Sequence, residues 1–157
     1  MVYFAEATLR FDGNCRPNPG VGGSGWELVN DRNSNQILRG QYFVGPNCTN
    51  NVAEYKGLIE SFKQLRDSNH TVGHLTIEGD SQLVINQMRG DYSVKSPRLR
   101  PLHNQAKQLI EKLYAKDLVH TYAFWHIDRS ENQQADKLAN DAIDDEYNWS
   151  SDYYFNK

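Results

Sequence analysis

Four acidic residues stand in local contexts that could put their carboxylates to chemical use: Asp12, Glu54, Asp80 and Asp136. Asp12 ends the alternating run Thr8-Leu9-Arg10-Phe11-Asp12 and leads into a glycine- and proline-rich stretch that closes with Asn18-Pro19-Gly20. Asp80 ends Leu75-Thr76-Ile77-Glu78-Gly79-Asp80, and a helical pattern follows at once. Glu54 and Asp136 fall in helix starts, Thr49-Asn50-Asn51-Val52-Ala53-Glu54 and Asn132-Gln133-Gln134-Ala135-Asp136. Strand ends and first helical turns are where an α/β fold gathers side chains at one edge of its sheet. Carboxylates gathered there repel one another unless cations neutralise them. A hard divalent cation such as Mg²⁺, which takes oxygen ligands, is the natural partner, and Mn²⁺ can replace it in such a site.

Taken singly, each acid has a plainer reading. The chain holds 20 Asp and Glu residues, most of which must be solvated surface charge. A lone Glu near a helix start usually serves the helix dipole. The neighbours change that reading. Asn18, Thr49, Asn50, Asn51 and Gln82 each fall within a few residues of one of the acids. Amide side chains both donate to and accept from a ribose 2′-hydroxyl, and helix N-termini and threonine hydroxyls suit phosphate oxygens. Asn-rich turns are also simply turns, because Asn tolerates left-handed geometry.

The elements that must position these groups follow from periodicity. Tyr3–Phe11 reads as a strand, Gly13–Gly25 as a glycine-rich return, and Trp26–Val29 and Gln36–Val44 as two further strands around the turn cluster Asn30–Asn35. A long helix capped by Thr49 or Asn50 follows, with Ala53, Leu58, Ile59, Phe62 and Leu65 on its apolar face. His74–Gly79 is a fourth strand; a short helix capped by Asp80 or Ser81 carries Leu83, Val84, Ile85 and Met88. Pro97 starts a third helix with Leu99, Leu102, Ala106, Leu109, Ile110 and Leu113 inward; Val119–His126 is the fifth strand; and a last helix runs from about Asn132. The order βββαβααβα predicts an α/β domain with a mixed five-stranded sheet.

With 157 residues, one domain with one core is expected. No apolar run is long enough to span a bilayer, and Met1–Glu6 has neither the basic start nor the apolar stretch of a secretory signal. Cys15 and Cys48 are therefore expected as reduced thiols in a cytosolic, nuclear or organellar compartment rather than a secreted one. The net charge of −3 argues against a sequence-blind nucleic-acid binder, which is usually basic. The distribution is uneven: Arg89, Lys95, Arg98, Arg100, Lys107, Lys112 and Lys116 face only Asp91, Glu111 and Asp117 nearby. Such a face can meet a phosphate backbone, or it can be the wet side of an amphipathic helix.

Asp12-Gly13 with Asn18-Pro19-Gly20, Thr49-Asn50-Asn51 with Glu54, Gly79-Asp80-Ser81-Gln82, and His126 with Asn132 and Asp136 resemble the four signature blocks of type 1 ribonuclease H. The blocks come in family order and span Tyr3 to Ile143. The resemblance implies the ribonuclease H-like fold with helices on both faces of the sheet, residues 1–146 as the catalytic domain and 147–157 as a tail. It implies an endonuclease, acting as a monomer, that cuts the RNA strand of RNA–DNA hybrids with two Mg²⁺ ions and leaves a 5′-phosphate and a 3′-hydroxyl. Asp12, Glu54, Asp80 and Asp136 are similar to the metal ligands, with Asp12 bridging. Asn18, Asn50, Asn51 and Gln82 resemble contacts to the hybrid, and Thr49 resembles a phosphate-pocket residue on the DNA side.

His126 matches the position of a catalytic histidine, but Trp125-His126-Ile127-Asp128-Arg129-Ser130 lacks the glycine of bacterial enzymes and looks more like the plant and archaeal branch. The loop Arg89–Ser96 is too short for the extra helix of the bacterial basic protrusion, so hybrid affinity would rest on Lys95, Arg98, Arg100 and the amides. Other nucleases of this fold use clustered acids too, but leave Asn50, Asn51 and Gln82 without a purpose. A noncatalytic hybrid-binding module would be favoured by loss of an acid, and all four are present. The ribonuclease H portion of a longer reverse transcriptase is a further alternative.

Overall fold

The first three strands are longer than the sequence pattern predicts, and the reason lies in their glycines. In the computed structural model, which describes the backbone of residues 1–155 and the side chains of residues 1–146, β1 runs Val2–Arg16, β2 Gly20–Asn30 and β3 Gln36–Cys48. Asp12 therefore sits inside β1 rather than at its end, opposite Gly25 of β2. The expected glycine-rich return shrinks to the turn Pro17–Pro19. Gly23 and Gly25 are strand residues with a packing task. A Cβ on Gly25 would stand 2.4 Å from the Ala139 nitrogen and 2.5 Å from the Ala135 oxygen, and one on Gly23 would stand 2.5 Å from the Ala139 oxygen. On the other face, a Cβ on Gly13 would stand 2.2 Å from the Ala53 carbonyl carbon. Glycine here lets helix backbones approach the sheet.

The remaining elements are α1 (Asn50–Asp67), β4 (His70–Gly79), α2 (Gln82–Arg89), α3 (Arg100–Ala115), β5 (Val119–His126), a 3-10 turn (Arg129–Glu131) and α4 (Gln133–Phe155). Thr49 caps α1 by accepting from the Val52 N–H, and Ser81 caps α2 by accepting from the Val84 N–H. The third helix starts at Arg100 rather than at Pro97, because Ser96 first receives the Leu99 and Arg100 N–H groups in a turn. Helix α4 continues through most of the segment expected to be a tail; Asn156 and Lys157 lie outside the described residues. No further helix stands between Arg89 and Arg100, as expected for a chain without the protrusion.

The sheet order is β3-β2-β1-β4-β5, antiparallel from β3 to β1 and parallel from β1 to β5. Strand side chains alternate between faces. Leu9, Phe11, Leu28, Leu75 and Ile77 meet Leu58, Ile59, Phe62, Ile85 and Ile110 in the core on the α1 side. Each such side chain, fully buried, contributes about 1.5–3 kcal/mol. On the other face Ala135, Leu138, Ala139, Ala142 and Ile143 of α4 are buried against β1–β3. Arg16 ties the end of β1 to α4 through Asn140 (2.7 Å) and Asp144 (2.6 Å). The mixed sheet with helices on both faces is thus the architecture expected from the sequence.

Candidate active site

Parallel pairing of β1 with β4 brings Phe11 level with Gly79, so Asp12 and Asp80 emerge side by side. Glu54 arrives from α1, whose backbone lies against Gly13, and Asp136 from the first turn of α4, whose backbone lies against Gly25. Four elements remote in sequence thus bring the four acids to one region of the sheet. Asp12 is 4% exposed and Glu54 8%. Burial pushes the Asp12 carboxyl up to about 8, with Asp80 and Glu54 raising it further and the Gly13 N–H, 2.9 Å away, opposing. The neighbouring Asp136 carboxyl raises it too. Burial likewise pushes Glu54 up to about 7; a hydrogen bond from Ser81 lowers it and the Asp80 charge raises it. Buried like charges disfavour ionisation, and both carboxyls report that conflict.

As the side chains stand, no three Asp, Glu, His or Cys groups among the described residues converge tightly enough to make a finished metal cage. The donor set fits a hard cation all the same. Every donor is a carboxylate oxygen, and Glu54 Oε2 is buried without a hydrogen-bond partner. A cation there would satisfy that oxygen and remove the repulsion, with side-chain rotation drawing the acids in.

Two polar groups that the sequence reading did not place among the site residues orient the acids. Asn14 Nδ2 donates to Asp136 Oδ1 at 2.8 Å. The buried Asn132 donates to Asp80 Oδ2 at 3.2 Å and to the Phe11 carbonyl at 2.9 Å. Asn14 had a usable signal, since it stands two residues after Asp12 on the same strand face. His126, exposed, ends β5 level with Gly79 and places Nε2 3.2 Å from the Asp80 carbonyl oxygen.

Beside the acids lies a cavity of about 710 Å³ lined by Asn18, Thr49, Asn50, Asn51, Glu54, Lys95 and Arg98, together with Leu83, Gln87, Ser93, Ser96 and Leu99. Asn18 accepts from the Asn50 N–H at 3.2 Å and Asn50 accepts from the Cys15 N–H at 3.0 Å, which leaves their amide nitrogens for other partners. Arg98 donates to the Asn47 carbonyl. Arg100, by contrast, turns to the Val94 carbonyl at 3.1 Å. Gln82 opens α2 as an exposed residue outside the cavity lining. Cys15 and Cys48 are free thiols. No described helix is long and apolar enough to cross a membrane.

Residues 10–142 match the reverse transcriptase-like family. Ribonuclease HI of Halobacterium salinarum is 34% identical over 135 residues, 86% of this chain and 63% of that protein. A bifunctional protein of Mycobacterium tuberculosis is 33% identical over 139 residues, 88% of this chain and 36% of that protein. The chain thus spans less than two thirds of these relatives. Ribonuclease H of Hydrogenovibrio crunogenus is 31% identical over 148 residues, 89% of this chain and 97% of that protein. Among solved structures, RNase H1 of Halobacterium salinarum superposes with a TM-score of 0.78 at 33% identity, covering 90% of this chain and 99% of that one. LC11-RNase H1, solved in complex with an RNA/DNA hybrid, superposes with a TM-score of 0.77 at 30% identity over the same shares. Sequence blocks, sheet topology and relatives agree: the chain belongs to the ribonuclease H family, within the reverse transcriptase-like domains.

Proposed function

We propose that residues 1–146 form an endonuclease that hydrolyses the RNA strand of RNA–DNA hybrids, leaving a 5′-phosphate and a 3′-hydroxyl, and that it works as a monomer in a cytosolic, nuclear or organellar compartment. The observation that carries this reading is the meeting of Asp12, Glu54 and Asp80, with Asp136 next to Asp12, beside a cavity lined by amides and cations. Asp12, Glu54, Asp80 and Asp136 would hold two Mg²⁺ ions, or Mn²⁺ in their place, and when bound these ions supply an activated water and a stabilised leaving oxygen.

The other residues do the positioning. Asn14 and Asn132 hold Asp136 and Asp80 in orientation. Asn50, Asn51 and Gln82 read 2′-hydroxyls on the RNA strand, since an amide meets both the donor and the acceptor of that group, and Asn18 contacts the hybrid beside them. Thr49, Lys95 and Arg98 take phosphates, which sets register without reading sequence. His126 carries a proton to or from the reacting phosphate from its place beside Asp80.

The test is a cleavage assay on an end-labelled hybrid beside RNA duplex, DNA duplex and single-stranded RNA, with and without Mg²⁺. The reading requires Mg²⁺-dependent cutting of the hybrid's RNA strand alone. Full activity in excess chelator, or equal cutting of all four substrates, refutes it.

A further inference from the structure

The chain's two cysteines lie outside the acid cluster, yet they meet in space from the two strands that flank β2. Cys15 stands opposite Gly22 in the β1–β2 ladder, and Cys48 ends β3 opposite Gly20. A Cβ on Gly22 would stand 2.4 Å from Cys48 Sγ and 3.2 Å from Cys15 Sγ. Both sulfurs thus crowd the one space that a side chain at position 22 would fill. Both are free thiols, Cys15 half-buried and Cys48 1% exposed. The Cys48 thiol donates to the Thr49 carbonyl at 3.1 Å. Both cysteines also adjoin residues of the cavity. The Cys15 N–H donates to Asn50 Oδ1 at 3.0 Å, and Cys48 directly precedes Thr49, the cap of α1.

We propose that Cys15 and Cys48 are an oxidisable pair that closes into an intramolecular disulfide, with a low-molecular-weight disulfide as the oxidant. Cys15, the more exposed, attacks one sulfur of that oxidant as its thiolate and releases one small thiol. Cys48 then attacks the Cys15 sulfur of the mixed disulfide, forms the Cys15–Cys48 bond and releases the second small thiol. Two cysteine S–H bonds are lost, and their two protons and two electrons leave on two small thiols. Burial pushes both thiols up from the ordinary range, which keeps thiolate scarce and the exchange slow. The pair therefore stays reduced in a reducing compartment and answers only to sustained oxidation. Closure takes Cys48 Sγ away from the Thr49 carbonyl and draws the start of α1 toward β1. On the hybrid-cleaving reading, on which this consequence rests, the movement displaces Thr49 and Asn50 and slows cleavage.

The experiment incubates the full chain overnight with oxidised or reduced glutathione. Free thiols are then counted, the unfolded chain is weighed by mass spectrometry, and melting and hybrid cleavage are followed. The wild type is expected to lose both thiols together, with a mass loss of two hydrogens and no glutathione retained. The cross-linked chain is expected to melt roughly 5 °C higher, since the bond restricts the unfolded state. Its cleavage is expected to fall about tenfold, within the loss that misplaced contacts cause, and reductant reverses both changes. Cys48→Ala leaves Cys15 without its partner and is expected to retain one glutathione per chain. Cys15→Ala is expected to keep its buried thiol, and neither variant gains stability on oxidation. Two free thiols in the oxidised wild type, or a glutathione held on its Cys15, overturns the pair. A closed disulfide with unchanged cleavage overturns its coupling to the site. If Cys48→Ala does not fold, Cys15→Ala alone serves as the control. A reduced protein that cuts no hybrid refutes the hybrid reading alone, because thiol count, mass and melting still decide the pair.

Discussion

The acid edge and the cavity beside it share Glu54 yet treat their polar groups in opposite ways. At the edge, like charges are buried together, Glu54 Oε2 has no partner, and the Asp12 and Glu54 carboxyls are raised to about 8 and about 7. Around the cavity several polar groups are anchored at one end: Asn18 and Asn50 by backbone N–H groups, Gln87 by Tyr55, Arg98 by a carbonyl. The first region is poised against itself until protons or cations arrive. The second is organised before any ligand, so little ordering remains to be done on binding. The difference teaches where stability and chemistry conflict: the groups that would hold cations weaken the metal-free fold, and the groups that would hold substrate do not.

Asp12→Asn tests the conflict directly and should have the largest effect. Cleavage should fall by on the order of 10³-fold or more, since a metal ion's charge stabilisation is worth several kcal/mol. The metal-free variant should melt higher than wild type by roughly 5 °C, because the amide carries no charge to bury. An inactive variant that is also less stable would break the comparison.

Gly25→Ala should come next. Its Cβ meets backbone atoms of α4, so the helix must shift and carry Asp136 away from Asp12. Overpacking of this kind costs about 2–3 kcal/mol, and a displaced reacting group can lower turnover roughly hundredfold. Activity equal to wild type would show that α4 does not need this contact.

The metal-free protein should also lose stability as pH rises. Asp12 and Glu54 have folded values of about 8 and about 7 against ordinary values of 3.8 and 4.5. Between those limits the folded chain keeps protons that the unfolded chain releases, so unfolding becomes easier with rising pH. Melting at pH 5 and pH 8 in chelator checks the sign, and Mg²⁺ added at pH 8 should restore the loss. A flat profile would mean the acids are not in conflict.

His126→Ala should lower turnover by about tenfold, below the usual contribution of general acid–base catalysis, because His126 is exposed and ends a strand rather than standing on a glycine loop. A loss equal to that of Asp12→Asn would make it essential. Smallest, Asn51→Ala should weaken hybrid binding about fivefold and leave DNA-duplex binding unchanged. Equal weakening of both duplexes would remove the amides as readers of RNA.

Much of the architecture was legible along the chain. Val119–His126 was placed to the residue, and the apolar faces of the helices are the faces buried. Those signals are periodic and local. The ends of β1 and β2 were misread, because Gly23 and Gly25 look like turn residues until α4 is known to lie on them. Asn14 could have been found by its spacing from Asp12.

By itself the sequence determined residue types and periodicities: which segments are strands and helices, that all four acids are present with an oxygen-only donor set, and that amides accompany them. Only the tertiary structure decided the strand order, the parallel pairing that sets Asp12 beside Asp80, and the close seating of α4 that brings Asp136 to Asp12. It also decided which buried polar atoms among the described residues stay unsatisfied: Glu54 Oε2, His70 Nδ1 and Asn132 Oδ1. The reason is physical. A side chain's periodic place is a property of its own element, whereas burial, repulsion and hydrogen-bond satisfaction are set by neighbours through space, and here those neighbours come from elements far apart in the chain.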